Sequence, residues 1–173
     1  HVASLDVASG ALRELTPASL YAYEFDWSPD GQHIAYTAAT PPGDNNWWIA
    51  RLYVQDVRDA ATPQVVVDPA TVAGPLHGLQ MALPRWSPDG TRIAFIGGLM
   101  SDQGSTGGDI YSVPAHGGTV DNLTTGIKVT PQWFTWTGAN SLLVSQNARG
   151  KVHLAAYTVS GDRAQARIPY FTP

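Results

Sequence analysis

Trp86-Ser87-Pro88-Asp89-Gly90, followed by Thr91-Arg92-Ile93-Ala94-Phe95, has a near copy earlier in the chain: Trp27-Ser28-Pro29-Asp30-Gly31, then Gln32-His33-Ile34-Ala35-Tyr36. Proline presets φ at the second position of a turn, aspartate is accepted at the third, and glycine takes the left-handed conformation that ends it. An aromatic segment enters each turn and an apolar one leaves it, so each copy reads as a β-hairpin. Two hairpins on one turn sequence point to an internal repeat.

A third copy is degraded. Phe134-Thr135-Trp136-Thr137-Gly138-Ala139-Asn140 precedes Ser141-Leu142-Leu143-Val144. Aligning Trp27, Trp86 and Trp136 puts Ile34, Ile93 and Leu143 in one column. The anchors lie 59 and then 50 residues apart, periods that suit four-stranded propeller blades. A second hairpin block occurs four times, beginning at Ser4, Leu52, Asp109 and His153. Ser9-Gly10, Gly117-Gly118 and Ser160-Gly161 turn three of these blocks. The unit is four antiparallel strands, a to d. The expected architecture over 1–173 is all-β: a β-propeller fragment of three four-stranded antiparallel blades (21–67, 80–125 and 131–168) plus a half-blade (1–18). Residues 170–173 read as the approach to another blade.

The b strands, Ile-Ala-Tyr and Ile-Ala-Phe, are apolar on successive residues, which predicts sheets covered on both faces. Propellers close with roughly four to eight blades. Three and a half blades leave open apolar faces, so the expectation is an excerpt of a longer polypeptide or, less favoured, a ring completed by a second copy. Self-association through the open faces is expected of the chain alone.

Trp-Ser-Pro-Asp-Gly, then Arg-Ile-Ala-Phe, Asp-Ile-Tyr-Ser-Val and Asn-Leu-Thr resembles the WD40-like β-propeller repeat shared by the prolyl oligopeptidase family and TolB. The resemblance covers nearly the whole chain and speaks for architecture more than for function. It implies a non-catalytic propeller portion of a serine peptidase, of the dipeptidyl-peptidase or acylaminoacyl-peptidase kind, that gates peptide access to a separate α/β-hydrolase domain. The alternative it implies is a TolB-like module that binds other proteins and catalyses nothing. Expected partners are accordingly the hydrolase domain of the same polypeptide and peptide substrates, or a protein partner.

Composition narrows the classes. Hydrophobic residues make up 43% of the chain, enough for a sizeable core, and charged residues 14%. Net charge is −4, with 10 Lys and Arg and no basic run, so nucleic acid is not an expected partner. No apolar run reaches the length of a membrane span. The chain has no cysteine, which excludes disulfides and thiolate metal sites and fits a bacterial periplasm or cytoplasm alike.

No Gly-x-Ser-x-Gly nucleophile motif occurs. Gly104-Ser105-Thr106-Gly107 has the wrong spacing and reads as a flexible loop. The five histidines form no close ligand pair, so neither metal nor cofactor is expected and no catalytic residue is assigned. Asp30 and Asp89 read as turn residues that bond local amides.

Loop length is the remaining signal. In alternating strands the a–b and c–d turns share one end and the b–c and d–a connections the other. The first set is minimal. The second reads as long loops, 39–50, 68–82 and 97–108, a length usually tied to function. The candidate interaction face drawn from them is Asn46, Trp47, Trp48, His77, Met81, Met100 and Asp102. For Trp47 and Trp48 the competing expectation is that they open strand c and pack in the core.

Overall fold

The computed structural model describes residues 1–58, 62–101 and 104–171. A two-stranded sheet, β1 (Ala3–Leu5) with β2 (Leu12–Glu14), comes first. Three four-stranded antiparallel sheets follow: β3 (Tyr21–Trp27) to β6 (Gln64–Val67), β7 (Gln80–Trp86) to β10 (Asp121–Asn122), and β11 (Thr130–Gly138) to β14 (Arg163–Phe171). The strands between them are β4 (His33–Ala39), β5 (Arg51–Asp56), β8 (Arg92–Ser101), β9 (Gly104–Pro114), β12 (Ser141–Ala148) and β13 (Lys151–Ser160). Within each sheet the spatial order follows the chain order. A short 3-10 turn, Asp44–Ile49, is the one helical element among the described residues.

The repeated turn forms as its residues demand. Ser28 Oγ donates to Asp30 Oδ1 at 2.5 Å, and that oxygen also accepts from the Gln32 amide at 2.9 Å. The second copy repeats this, Ser87 Oγ to Asp89 Oδ1 at 2.6 Å and the Thr91 amide to the same oxygen at 3.0 Å. Gly31 and Gly90 close the turns at φ 69° and 70°, where a side chain is strained. In the fourth sheet, counting the two-stranded one first, Ala139 and Asn140 turn the chain between paired Gly138 and Ser141. The backbone bond from this corner to strand c survives in all three: Val57 N to Gln32 O, Ala115 N to Thr91 O and Val159 N to Asn140 O, each 2.9 Å.

Because b-strand residues alternate in direction, each middle sheet feeds two cores. Ile93 and Phe95 pack toward Ala35, Leu52 and Val54 of the preceding sheet, while Ala94 and Ile96 pack toward Phe134, Leu142 and Val144 of the next. Inner strands β3, β7 and β11 are neighbours across the stack. Each carries a one-residue bulge two to four positions before its anchor tryptophan: at Tyr23, at Leu83-Pro84 and at Gln132. Bulges redirect side chains and free ladder amides. Here Glu24 Oε2 accepts from the Leu83 amide at 2.5 Å and Asp26 Oδ2 from the Trp86 amide at 2.8 Å, tying β3 to β7.

Three sequence expectations are corrected. Residues 97–108 are not a long loop, since 97–101 and 104–108 extend β8 and β9 into a paired arm. Gly98 lies opposite Gly108 and Leu99 opposite Gly107, so these glycines permit close backbone approach rather than flexibility. A Cβ on Gly98 would stand 2.6 Å from the Gly108 Cα. Gly104-Ser105-Thr106-Gly107 is likewise strand. Finally, residues 170–171 belong to the last strand of this sheet rather than to a connection: β14 runs on to Phe171, which pairs with Leu154.

Candidate functional site

The end carrying the b–c and d–a connections is built from three unlike pieces. The first is the 3-10 turn. Gly43 precedes it, with its carbonyl accepting from the Tyr23 hydroxyl at 2.7 Å and from the Asn46 amide at 3.2 Å. Asn46 Nδ2 donates to the Pro41 carbonyl at 2.9 Å, so the asparagine holds the loop shut. The Tyr21 phenol hydrogen-bonds Asp44, and the carboxylate pushes the phenol above its ordinary range. The turn buries none of its residues. Trp48 is 57% exposed and Ile49 42%, while Trp47 is half-buried. Strand c begins only at Arg51, so the tryptophans neither open that strand nor enter the core.

The second piece is the d–a connection. Leu76 plugs the core between the second and third sheets at 1% exposure, next to exposed His77, whose Nδ1 lies 3.2 Å from the Val72 carbonyl oxygen. Met81 is corrected as a surface candidate. It sits on β7 opposite Gly97, is 5% exposed and packs in that same core, because β7 starts earlier than the loop expectation allowed. The third piece is the β8–β9 arm. Met100 is half-buried against the core of the third and fourth sheets, and its amide donates to Gln80 Oε1 at 3.1 Å. Asp102 lies outside the described residues.

The first two pieces meet at a depression of about 270 Å³, lined by Trp48, Ile49, Arg51, Asp68 and Leu79. Arg51 Nε and Asp68 Oδ2 pair across it at 2.8 Å. Its character is an apolar rim with one closed ion pair, suited to an aromatic or aliphatic side chain with a polar backbone beside it. Of the candidates, Trp48 is in this wall, with Asn46, Trp47 and His77 nearby in the same two connections. Sequence reasoning missed Ile49, Arg51, Asp68 and Leu79. The Arg51–Asp68 pair joins strand c to the residue after strand d, a juxtaposition visible only once the blade register is known.

The opposite end is not featureless. An open cleft of about 520 Å³ separates the two Ser-Pro-Asp-Gly turns and includes Asp30, His33, Asp56, Trp86, Asp89 and His116. Its carboxylates are already engaged. Hydrogen bonds from Ser28 and Ser87 hold Asp30 and Asp89 below the ordinary carboxylate range, and Arg58 does the same to Asp56. Among the described residues no group of three His, Asp or Glu side chains is placed to hold a metal ion. No described helix is long and apolar enough to cross a membrane.

No protein-family model matches this chain, and no curated protein matches it. Solved structures do. A putative TolB from Agrobacterium tumefaciens superimposes with a TM-score of 0.62 at 17% identity, over 90% of this chain and 52% of that one. A puromycin-hydrolyzing peptidase from Mycobacterium tuberculosis gives 0.67 at 19%, over 96% and 26%. An oligogalacturonate lyase from Vibrio parahaemolyticus gives 0.69 at 11%, over 99% and 47%. The fold is that of a β-propeller segment. The chain spans about half the length of these neighbours or less, and at such identity the likeness concerns the fold alone.

Proposed function

We propose that the chain is the non-catalytic propeller portion of a serine peptidase of the prolyl oligopeptidase kind, with its long-connection end turned toward a separate α/β-hydrolase domain and toward the peptides that reach it. The observation that carries this reading is the asymmetry of the two ends. One is spent on backbone-determined turns with satisfied carboxylates. The other exposes Trp48 and Ile49 beside an apolar-rimmed depression. Side chains of this type anchor recognition when a partner desolvates them. Peptidase propellers among the structural neighbours are compatible with it. TolB structures match over a similar share of the chain, which favours a second reading: the same face docks a protein and no hydrolase is involved.

Fluorophosphonate labelling of the intact gene product separates the two. The expected result is one labelled serine outside residues 1–173 and hydrolysis of short peptides, with Trp48→Ala raising KM or admitting longer substrates. An intact product that neither labels nor hydrolyses removes the peptidase reading and leaves the docking one. A labelled serine within 1–173 removes both.

A further inference from the structure

The long-connection end holds a second depression, of about 500 Å³, between the sheet of β7 to β10 and that of β11 to β14. It shares no residue with the one around Trp48. Two chain reversals supply its cations. Ile127 N donates to Thr124 O at 3.1 Å and Gly126 takes φ 80°, a tight turn that delivers Lys128. Ala148 pairs with Lys151, so Arg149 and Gly150 alone turn β12 into β13, at φ 51° and 76°. A two-residue turn of this kind favours asparagine followed by glycine. Arginine at its first position carries backbone strain that glycine or asparagine relieves, so the turn itself does not account for the residue.

Lys128 and Arg149 are exposed, and neither is held in an ion pair among the described residues, whereas Arg51, Arg58 and Arg92 each pair with an aspartate. The carboxylate in the same wall is Asp109. Its Oδ1 accepts from Thr124 Oγ1 and its Oδ2 from Asn122 Nδ2, both at 2.9 Å, so it is engaged on its own sheet. Two cations against one anion leave the wall with one positive charge in excess, which a single carboxylate balances. Ile127 and Val129, both half-buried, add apolar surface. The backbone completes the site. Leu123 N donates to Ile110 O and Ile110 N to Thr124 Oγ1, each at 2.9 Å, so the main-chain groups of Ile110 face away from β8. Alternation turns those of Gly108 the same way. Because β10 ends at Asn122, opposite Tyr111, no strand of the sheet lies beside Gly108 on that side, and Gly108 lines the depression.

We propose that this depression takes the C-terminal residue of an extended peptide. The terminal carboxylate lies between Lys128 and Arg149, an aliphatic side chain rests against Ile127 and Val129, and the last peptide group bonds the backbone of Gly108. The cations set the direction, since they repel an amino terminus. An inorganic anion would leave the Gly108 groups and the apolar wall unused. The site stands on its own geometry, whether the whole protein is a peptidase or a docking module.

The probe is a dye-labelled pentapeptide, Gly-Ala-Ala-Ala-Leu with a free carboxylate, read by fluorescence anisotropy on the intact gene product. Prior treatment with a fluorophosphonate keeps any peptidase from consuming it. The C-terminal amide of the same peptide is expected to bind about tenfold more weakly or worse. Lys128→Gln with Arg149→Asn is expected to weaken the free acid by a similar factor and to bring acid and amide to one affinity. Trp48→Ala leaves the affinity unchanged, which separates this site from the depression around that residue. Arg149→Asn alone is expected to raise the urea midpoint while weakening the peptide, a pairing that a structural role for the arginine does not give. The proposal falls if the free acid does not bind, if acid and amide bind alike, or if the double variant keeps its affinity. It falls also if acetate competes as well as the peptide, which makes the site one for a free anion. An amidated peptide with an internal glutamate that binds as tightly as the free acid overturns the terminal carboxylate as the occupant.

Discussion

The two ends of the blades solve the same problem, reversing the chain between strands, by opposite means. At one end Ser28-Pro29-Asp30-Gly31 and Ser87-Pro88-Asp89-Gly90 use the same bonds in the same order, and the side chains serve the backbone. At the other a 3-10 turn, an irregular plug around Leu76 and a glycine-paired strand arm do three different things. Repetition marks where geometry dictates sequence, and divergence marks where there is room for recognition.

The largest expected effect breaks the arm. Gly98→Val puts a branched side chain against the backbone of Gly107 and Gly108. It is expected to lower stability by about 3 kcal/mol, and urea unfolding measures it. An unchanged midpoint means that the arm is not paired as described. Next comes Gly90→Val at the conserved-geometry end, where φ is 70°. The expected loss is about 2 kcal/mol from backbone strain alone, in the same assay.

A smaller effect separates carboxylates by the sign of their pH dependence. Asp30 and Asp89 titrate below their ordinary value of 3.8 in the folded chain, because Ser28 and Ser87 hydrogen-bond the ionised form. Their contribution is complete above that value and is lost as pH falls through the folded pKa. Asp26, between β3 and β7, is shifted up, first by burial, with the Trp86 amide and the Arg85 charge opposing. The folded state therefore holds its proton more tightly than the unfolded one, and stability declines as pH rises from 3.8 through the raised value. Urea midpoints between about pH 3 and about pH 6 are expected to lose the acid-side fall in Asp30→Asn with Asp89→Asn, and the opposite slope in Asp26→Asn. The smallest effect on stability belongs to Trp48→Ala, within about 0.5 kcal/mol by the same measure, because the ring is mostly in water. A larger loss there means that Trp48 is a structural residue and the recognition face lies elsewhere.

Much of the fold was legible because its punctuation is local. Pro29, Gly31 and the aromatic anchors state turn and strand within ten residues, and even the eroded copy at Trp136 kept its apolar columns. The long-connection end was legible only as extra length. Glycines at 97–98 and 107–108 read as loop because close backbone pairing and looseness use the same residue. Met81 read as a loop residue because the connection was taken to run to residue 82, whereas β7 starts at Gln80, directly after the Gly78 turn. Trp48 was found by its type, but its neighbours Arg51, Asp68 and Leu79 come together through strand register, which no single stretch of sequence displays. The bulges of β3, β7 and β11 left no mark beyond Pro84.

Because strand order in each sheet follows chain order, no pairing waits for a distant segment. The sheet from β3 to β6 is complete once residue 67 is available, 46 residues after its first. On a ribosome adding roughly 5–20 residues per second, such a sheet has all its strands within seconds, before the next has been made. Low sequence separation also favours fast closure. Each finished sheet then serves as the floor on which its successor is laid. The order of synthesis is the order of assembly, and an error in one turn is confined to a single storey of the stack.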